Sequence, residues 1–74
     1  MTIKLTEDTM CAHDLHELTR YPRPGFRAKP ALPKGTRLKV KEEWMNFYGS
    51  YYRCMHENGE YDIPVGKVLV VNDD

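Results

Sequence analysis

Residues 51–64, Tyr-Tyr-Arg-Cys-Met-His-Glu-Asn-Gly-Glu-Tyr-Asp-Ile-Pro, constrain the fold of this chain more than any other stretch. Two runs of alternating character flank Asn58-Gly59, the strongest short-range signal for a two-residue β-hairpin. A type I′ turn needs positive φ at both central residues; asparagine tolerates that and glycine accepts it without steric cost. Such a turn sets Glu57 opposite Glu60, His56 opposite Tyr61, Met55 opposite Asp62 and Cys54 opposite Ile63. One face then collects Tyr52, Cys54, His56, Tyr61 and Ile63, and the other collects Arg53, Met55 and Asp62. Apolar meets apolar and polar mostly meets polar, as a half-buried hairpin requires. The Glu57–Glu60 pair alone sets like charges face to face.

A chain of 74 residues forms one small domain with a thin core. No apolar run approaches a membrane span and no apolar signal core stands at the N-terminus, so a soluble, cytoplasmic protein without membrane contact is expected. Cys11 and Cys54 are too few for a disulfide framework and read as reduced thiols. Net charge is zero, yet the charges are segregated. Residues 1–17 hold one lysine against four acids, net −3; residues 18–41 hold eight basic residues and no acid, net +8; residues 42–74 hold two basic residues against seven acids, net −5. The middle run reads as a basic strip facing a polyanion or an acidic protein surface, or else lying against the chain's own acids.

Taken in order, residues 2–6 alternate with Ile3 and Leu5 on one side, which suits a short edge strand or a loose terminus. A helix is predicted over residues 8–19, capped by Thr6 or Asp8, with Met10, Cys11, Leu15 and Leu18 near helical spacing and Tyr21-Pro22 as the stop. The prolines and glycines of residues 22–35 exclude regular structure and favour an extended arm. Residues 36–40 form a strand with Leu38 and Val40 inward, and the break in alternation at Glu42-Glu43 predicts a bulge or a bend. Gly49-Ser50 turns the chain into the central hairpin, residues 65–67 suit a single tight turn, and residues 68–71 read as a buried closing strand. Residues 72–74 are an acidic tail.

The runs Gly35-Thr36-Arg37-Leu38-Lys39-Val40, Asn58-Gly59-Glu60-Tyr61-Asp62-Ile63-Pro64 and Val68-Leu69-Val70-Val71 together resemble the SH3-like small barrels of the KOW and Tudor groups. The resemblance implies a mainly β fold. Residues 34–74 would make an SH3-like antiparallel small barrel, preceded over residues 1–33 by a short N-terminal helix and an extended basic, Pro-rich arm, all in one compact domain. The acidic loop and aromatic pattern of peptide-binding SH3 domains do not stand out here, and no Tudor-type aromatic cage can be assigned. Barrels of this kind bind nucleic acid, ribosomes, RNA polymerase or peptides, and fold alone does not choose among them.

Cys11-Ala12-His13 and Cys54-Met55-His56 are both C-x-H, with His16 nearby, so a zinc-stapled structural subunit is one alternative. That spacing is outside the usual zinc-ribbon and finger patterns, and neither a metal nor another cofactor is expected. A Cys–His nucleophile pair would lack an oxyanion-hole signature, and no phosphate-cradling glycine motif is present, so no enzyme is expected. The expected partner-binding residues are the basic strip, Arg20, Arg23, Arg27, Lys29, Lys34, Arg37, Lys39 and Lys41, together with Phe26, Trp44 and Tyr51. Basic residues interleaved with aromatics also suit single-stranded nucleic acid or RNA, a second alternative. A surface of both signs favours docking in a fixed orientation on a larger protein. The expectation is therefore a monomeric, non-enzymatic regulator that docks on a larger machine. By analogy with KOW-type barrels that machine is the transcription apparatus, through RNA polymerase, with nucleic acid as a second contact.

Overall fold

The alternating N-terminus forms strand β1 (Thr2–Leu5) in the computed structural model, which describes residues 1–71. Helix α1 (Ala12–Arg20), β2 (Arg37–Asn46), β3 (Gly49–His56), β4 (Gly59–Pro64), a 3₁₀ turn (Val65–Lys67) and β5 (Val68–Val71) follow. The strands make one antiparallel sheet in the order β4-β3-β2-β1-β5. The mainly β expectation therefore holds, with one short helix. The sheet is not closed into a barrel, because its edge strands β4 and β5 do not pair with each other among the described residues. Strand β1 is not an edge: it pairs with β2 on one side and β5 on the other. Ile3 and Leu5 are fully buried there, and an interior position is what shields them. The acidic tail, residues 72–74, lies outside the described residues.

The core joins Ile3, Leu5, Cys11 and Leu32 to Leu38, Cys54, Tyr61 and Ile63, with Val40, Tyr52 and Val68 packed against it. Residues 22–35 contain no helix or named strand, as their prolines require, but they are not a free arm. Thr9 and Leu32 exchange both backbone hydrogen bonds at 2.8 Å, the Tyr61 hydroxyl donates to the Pro30 carbonyl at 2.7 Å, and Gly35 N–H donates to Leu5 O at 2.9 Å. Strand β5 is less buried than its apolar run suggests. Leu69 and Val70 are about half exposed, because β5 is an edge strand of an open sheet.

The hairpin forms with its predicted faces but another register. Glu57 and Asn58 make the turn, His56 pairs with Gly59, Met55 with Glu60, Cys54 with Tyr61 and Tyr52 with Ile63. Positive φ falls on Gly59 (+117°) and on no non-glycine residue among those described, so the turn is not type I′. It has the form in which only the third loop residue needs left-handed backbone. The shift of two residues preserves which side chains face inward and removes the Glu57–Glu60 opposition. The predicted bulge is present: pairing of β2 with β3 slips between Val40 and Glu42, leaving Lys41 as the extra residue.

Helix α1 begins at Ala12 rather than residue 8, and neither Thr6 nor Asp8 caps it. The Asp8 carboxylate accepts from Lys34 N–H at 2.8 Å, and Thr9 is committed to its bridge with Leu32, so the chain cannot coil earlier. Cys11 is the N-cap residue without a side-chain cap bond. Leu15 and Leu18 are half exposed, and the buried member of the helix is Asp14.

Candidate binding cleft

Two anchors set α1 against the free side of β4. The Asp14 carboxylate accepts Lys29 N–H at 2.9 Å and pairs with the Lys29 ammonium at 3.4 Å, which satisfies a charge that is almost wholly buried. The Cys11 sulfur accepts Asp62 N–H from the edge of β4 at 3.5 Å. With the helix fixed in this way, Leu15, His16, Thr19 and Arg20 face a second wall made by the far end of the β2–β3 hairpin. Asn46 shapes that end, its side-chain oxygen accepting the N–H groups of Tyr48 at 2.8 Å and Gly49 at 3.2 Å.

Trp44 pairs across the ladder with Tyr51, and Tyr51 with Pro64. The Trp44 and Tyr51 rings stack with centroids 4.8 Å apart and planes 25° apart. The Arg53 guanidinium lies 5.3 Å from the Trp44 ring centre. Asp62 ties this group together, accepting from Arg53 Nε at 3.1 Å and from the Trp44 indole at 3.3 Å, while Arg53 also donates to Glu42 at 2.7 Å. The hydrogen bond to Asp62 raises the Arg53 guanidinium above its ordinary pKa. Across the cleft, His16 approaches Tyr48 at 5.5 Å and Tyr21 at 5.2 Å, and the Arg20 guanidinium sits 5.7 Å from the Tyr48 ring centre. The space between the walls is about 490 Å³, enough for a few side chains rather than a folded domain.

Of the residues expected to bind a partner, Arg20, Trp44 and Tyr51 come together in this cleft. The rest of the basic strip is dispersed. Arg23 lies 5.2 Å from the Phe26 ring centre and pairs with Glu17 at 3.2 Å, in the turn that also carries Arg27. Lys29 folds inward onto Asp14 and the Tyr61 ring, and the Lys34 backbone is held by Asp8. Arg37, Lys39 and Lys41 are exposed along β2. Lys41 donates to Glu60 at 2.8 Å, a bond that raises the lysine pKa and lowers the carboxylate's.

His16, Asn46, Tyr48, Arg53 and Asp62 also shape the cleft. Asp62 and Arg53 are cross-strand partners of opposite charge, a signal readable once the register is right. The contribution of His16 depends on where the helix docks, which no local pattern encodes. The thiols and imidazoles do not gather. Cys11 holds Asp62 N–H, His56 Nδ1 accepts Asn58 N–H at 3.1 Å, and burial pushes the Cys54 thiol up to about 11. No group of three or more His, Cys, Asp or Glu among the described residues is placed to hold a metal ion. No helix among them is long and apolar enough to cross a membrane. No protein-family model, curated protein or solved structure matches the chain.

Proposed function

We propose that the protein is a non-enzymatic interaction module that grips a short exposed segment of a larger protein in the cleft between α1 and the β2–β3 hairpin. One observation carries this reading: the Trp44–Tyr51 stack, braced from behind by Asp62 and Arg53, faces an open cleft rather than the core. Braced, half-buried aromatics are the usual anchors of protein interfaces. An SH3-like connectivity is part of the proposal. Its support is the strand order, in which the last strand lies beside the first, and the 3₁₀ turn between β4 and β5. By the resemblance to KOW-type barrels, the large partner is RNA polymerase and the setting is cytoplasmic transcription.

The test is capture from a native lysate by tagged protein, with and without nuclease. A nuclease-resistant partner, identified as RNA polymerase, is expected with the wild-type chain and with Lys39→Ala. It should be lost with Trp44→Ala and Tyr48→Ala, each checked for an intact amide spectrum. Capture that survives both cleft variants rules out the cleft as the gripping site. Capture abolished by nuclease moves the protein to the nucleic-acid-binding class.

A further inference from the structure

The polar groups lining the cleft are unequally occupied. Asp62 is its one carboxylate, and the same oxygen already accepts from Trp44 and Arg53. Arg53 is matched by Asp62 and Glu42, and Lys67 by Glu7 at 3.2 Å. The Thr19 hydroxyl donates to Leu15 O at 2.8 Å, and the oxygen of Asn46 is spent on the hairpin turn. Arg20 stands apart. It has no carboxylate partner among the described residues, and its guanidinium is positioned by the Tyr48 ring. The cleft thus offers an uncompensated, pre-placed cation beside an aromatic wall, while one oxygen of its single carboxylate and the side-chain oxygen of Asn46 are already engaged.

Building on the cleft reading above, we infer that the occupant is an acidic segment: an extended stretch of a protein partner that sets an Asp or Glu carboxylate on Arg20 and an apolar or aromatic side chain against Trp44 and Tyr51. A guanidinium presents its donors as a planar fork that matches a carboxylate with two parallel bonds. Holding that fork over Tyr48 before binding reduces the ordering cost of the contact. A nucleic-acid strand would ask for something else, namely several unmatched cations in line with successive phosphates. Here the cleft's other cations, Lys67 and Arg53, already pair with Glu7, Asp62 and Glu42, and beyond it Arg23, Lys29 and Lys41 pair with Glu17, Asp14 and Glu60.

Trp44 is the only tryptophan of the chain, so its fluorescence reports on the cleft. The full chain is titrated with three peptide pools on one Tyr-Pro scaffold. Their variable positions are restricted to Asp/Glu, to Asn/Gln or to Lys/Arg. The acidic pool should bind at least about tenfold more tightly than the amide pool, a difference of about 1.4 kcal/mol. Arg20→Glu should erase that preference, with Arg20→Gln intermediate. Equal binding of the acidic and amide pools, or a preference that survives Arg20→Glu, overturns the inference and leaves the cleft reading standing. No binding by any pool overturns both. Tighter binding of an oligothymidine, lost in Arg20→Glu, would assign the cation to phosphate and overturn the acidic-segment inference.

Discussion

A single backbone angle separates Asn58 from Gly59 at the hairpin turn. Gly59 sits at φ +117°, and a Cβ added there would meet only Lys29 Cδ at 3.5 Å, an ordinary contact. The cost of Gly59→Ala is therefore backbone strain rather than a clash, about 1–2 kcal/mol. Asn58→Ala should cost clearly less, since Asn58 does not occupy positive φ. Urea melts of the two variants check the order; equal losses would mean that the strain is shared. The sequence made the turn legible because Asn-Gly names the place. The type I′ turn it suggested would put left-handed backbone at Asn58 as well as Gly59 and set Glu57 against Glu60; the ladder instead shifts, and only Gly59 takes positive φ. Cys54 makes a second prediction at this scale. Its thiol is raised to about 11 by burial first and by nearby Asp62 second. A raised thiol favours folding while it is protonated, and this contribution fades as pH rises from the ordinary cysteine value toward 11. Alkylation at neutral pH should therefore leave Cys54 unmodified in the native protein and label it on unfolding; rapid native labelling would contradict its burial.

The elements show where local pattern stops being sufficient. The bulge near Lys41 was readable because alternation visibly breaks at Glu42-Glu43. The start of α1 was not readable from caps, because a partner 23 positions away, Leu32, claims Thr9 by a backbone bridge. Nor did the spacing of Leu15 and Leu18 identify the buried face, since Asp14 is the helix residue that turns inward. Asp14 holds residue 29 and with it the return of the arm. Asp14→Ala removes the acceptor of Lys29 N–H and the partner of the Lys29 ammonium, and should cost about 2–3 kcal/mol. The same variant should raise hydrogen exchange across residues 26–32. An unchanged melting point together with unchanged exchange would show that Leu32 and the Tyr61–Pro30 bond hold the arm without it.

At the scale of the whole molecule, part of the charge segregation seen along the chain is folded together. Arg23, Lys29 and Lys41 of the basic middle meet Glu17, Asp14 and Glu60 of the acidic flanks, and Lys67 joins the two flanks through Glu7. The same interleaving governs the core. Four of its eight buried members, Ile3, Leu5, Cys11 and Leu32, come from residues 1–33, and the other four from residues 34–74. A fragment beginning at residue 34 would expose the inner faces of Leu38, Tyr61 and Ile63, leave the Tyr61 hydroxyl without the Pro30 carbonyl, and uncouple β5 from β2, since β1 is the strand between them. Losing half of a core this thin exceeds the few kcal/mol that hold a domain of this size together. Residues 34–74 alone should therefore give a collapsed amide spectrum and no cooperative melt. A peptide of residues 1–33 added in trans should restore dispersion at high concentration, because it supplies both the missing strand and the missing half of the core. A dispersed, cooperatively melting fragment would instead mean that the β2–β3–β4 meander is stable by itself, and that the N-terminal third is fastened to a finished sheet rather than built into it.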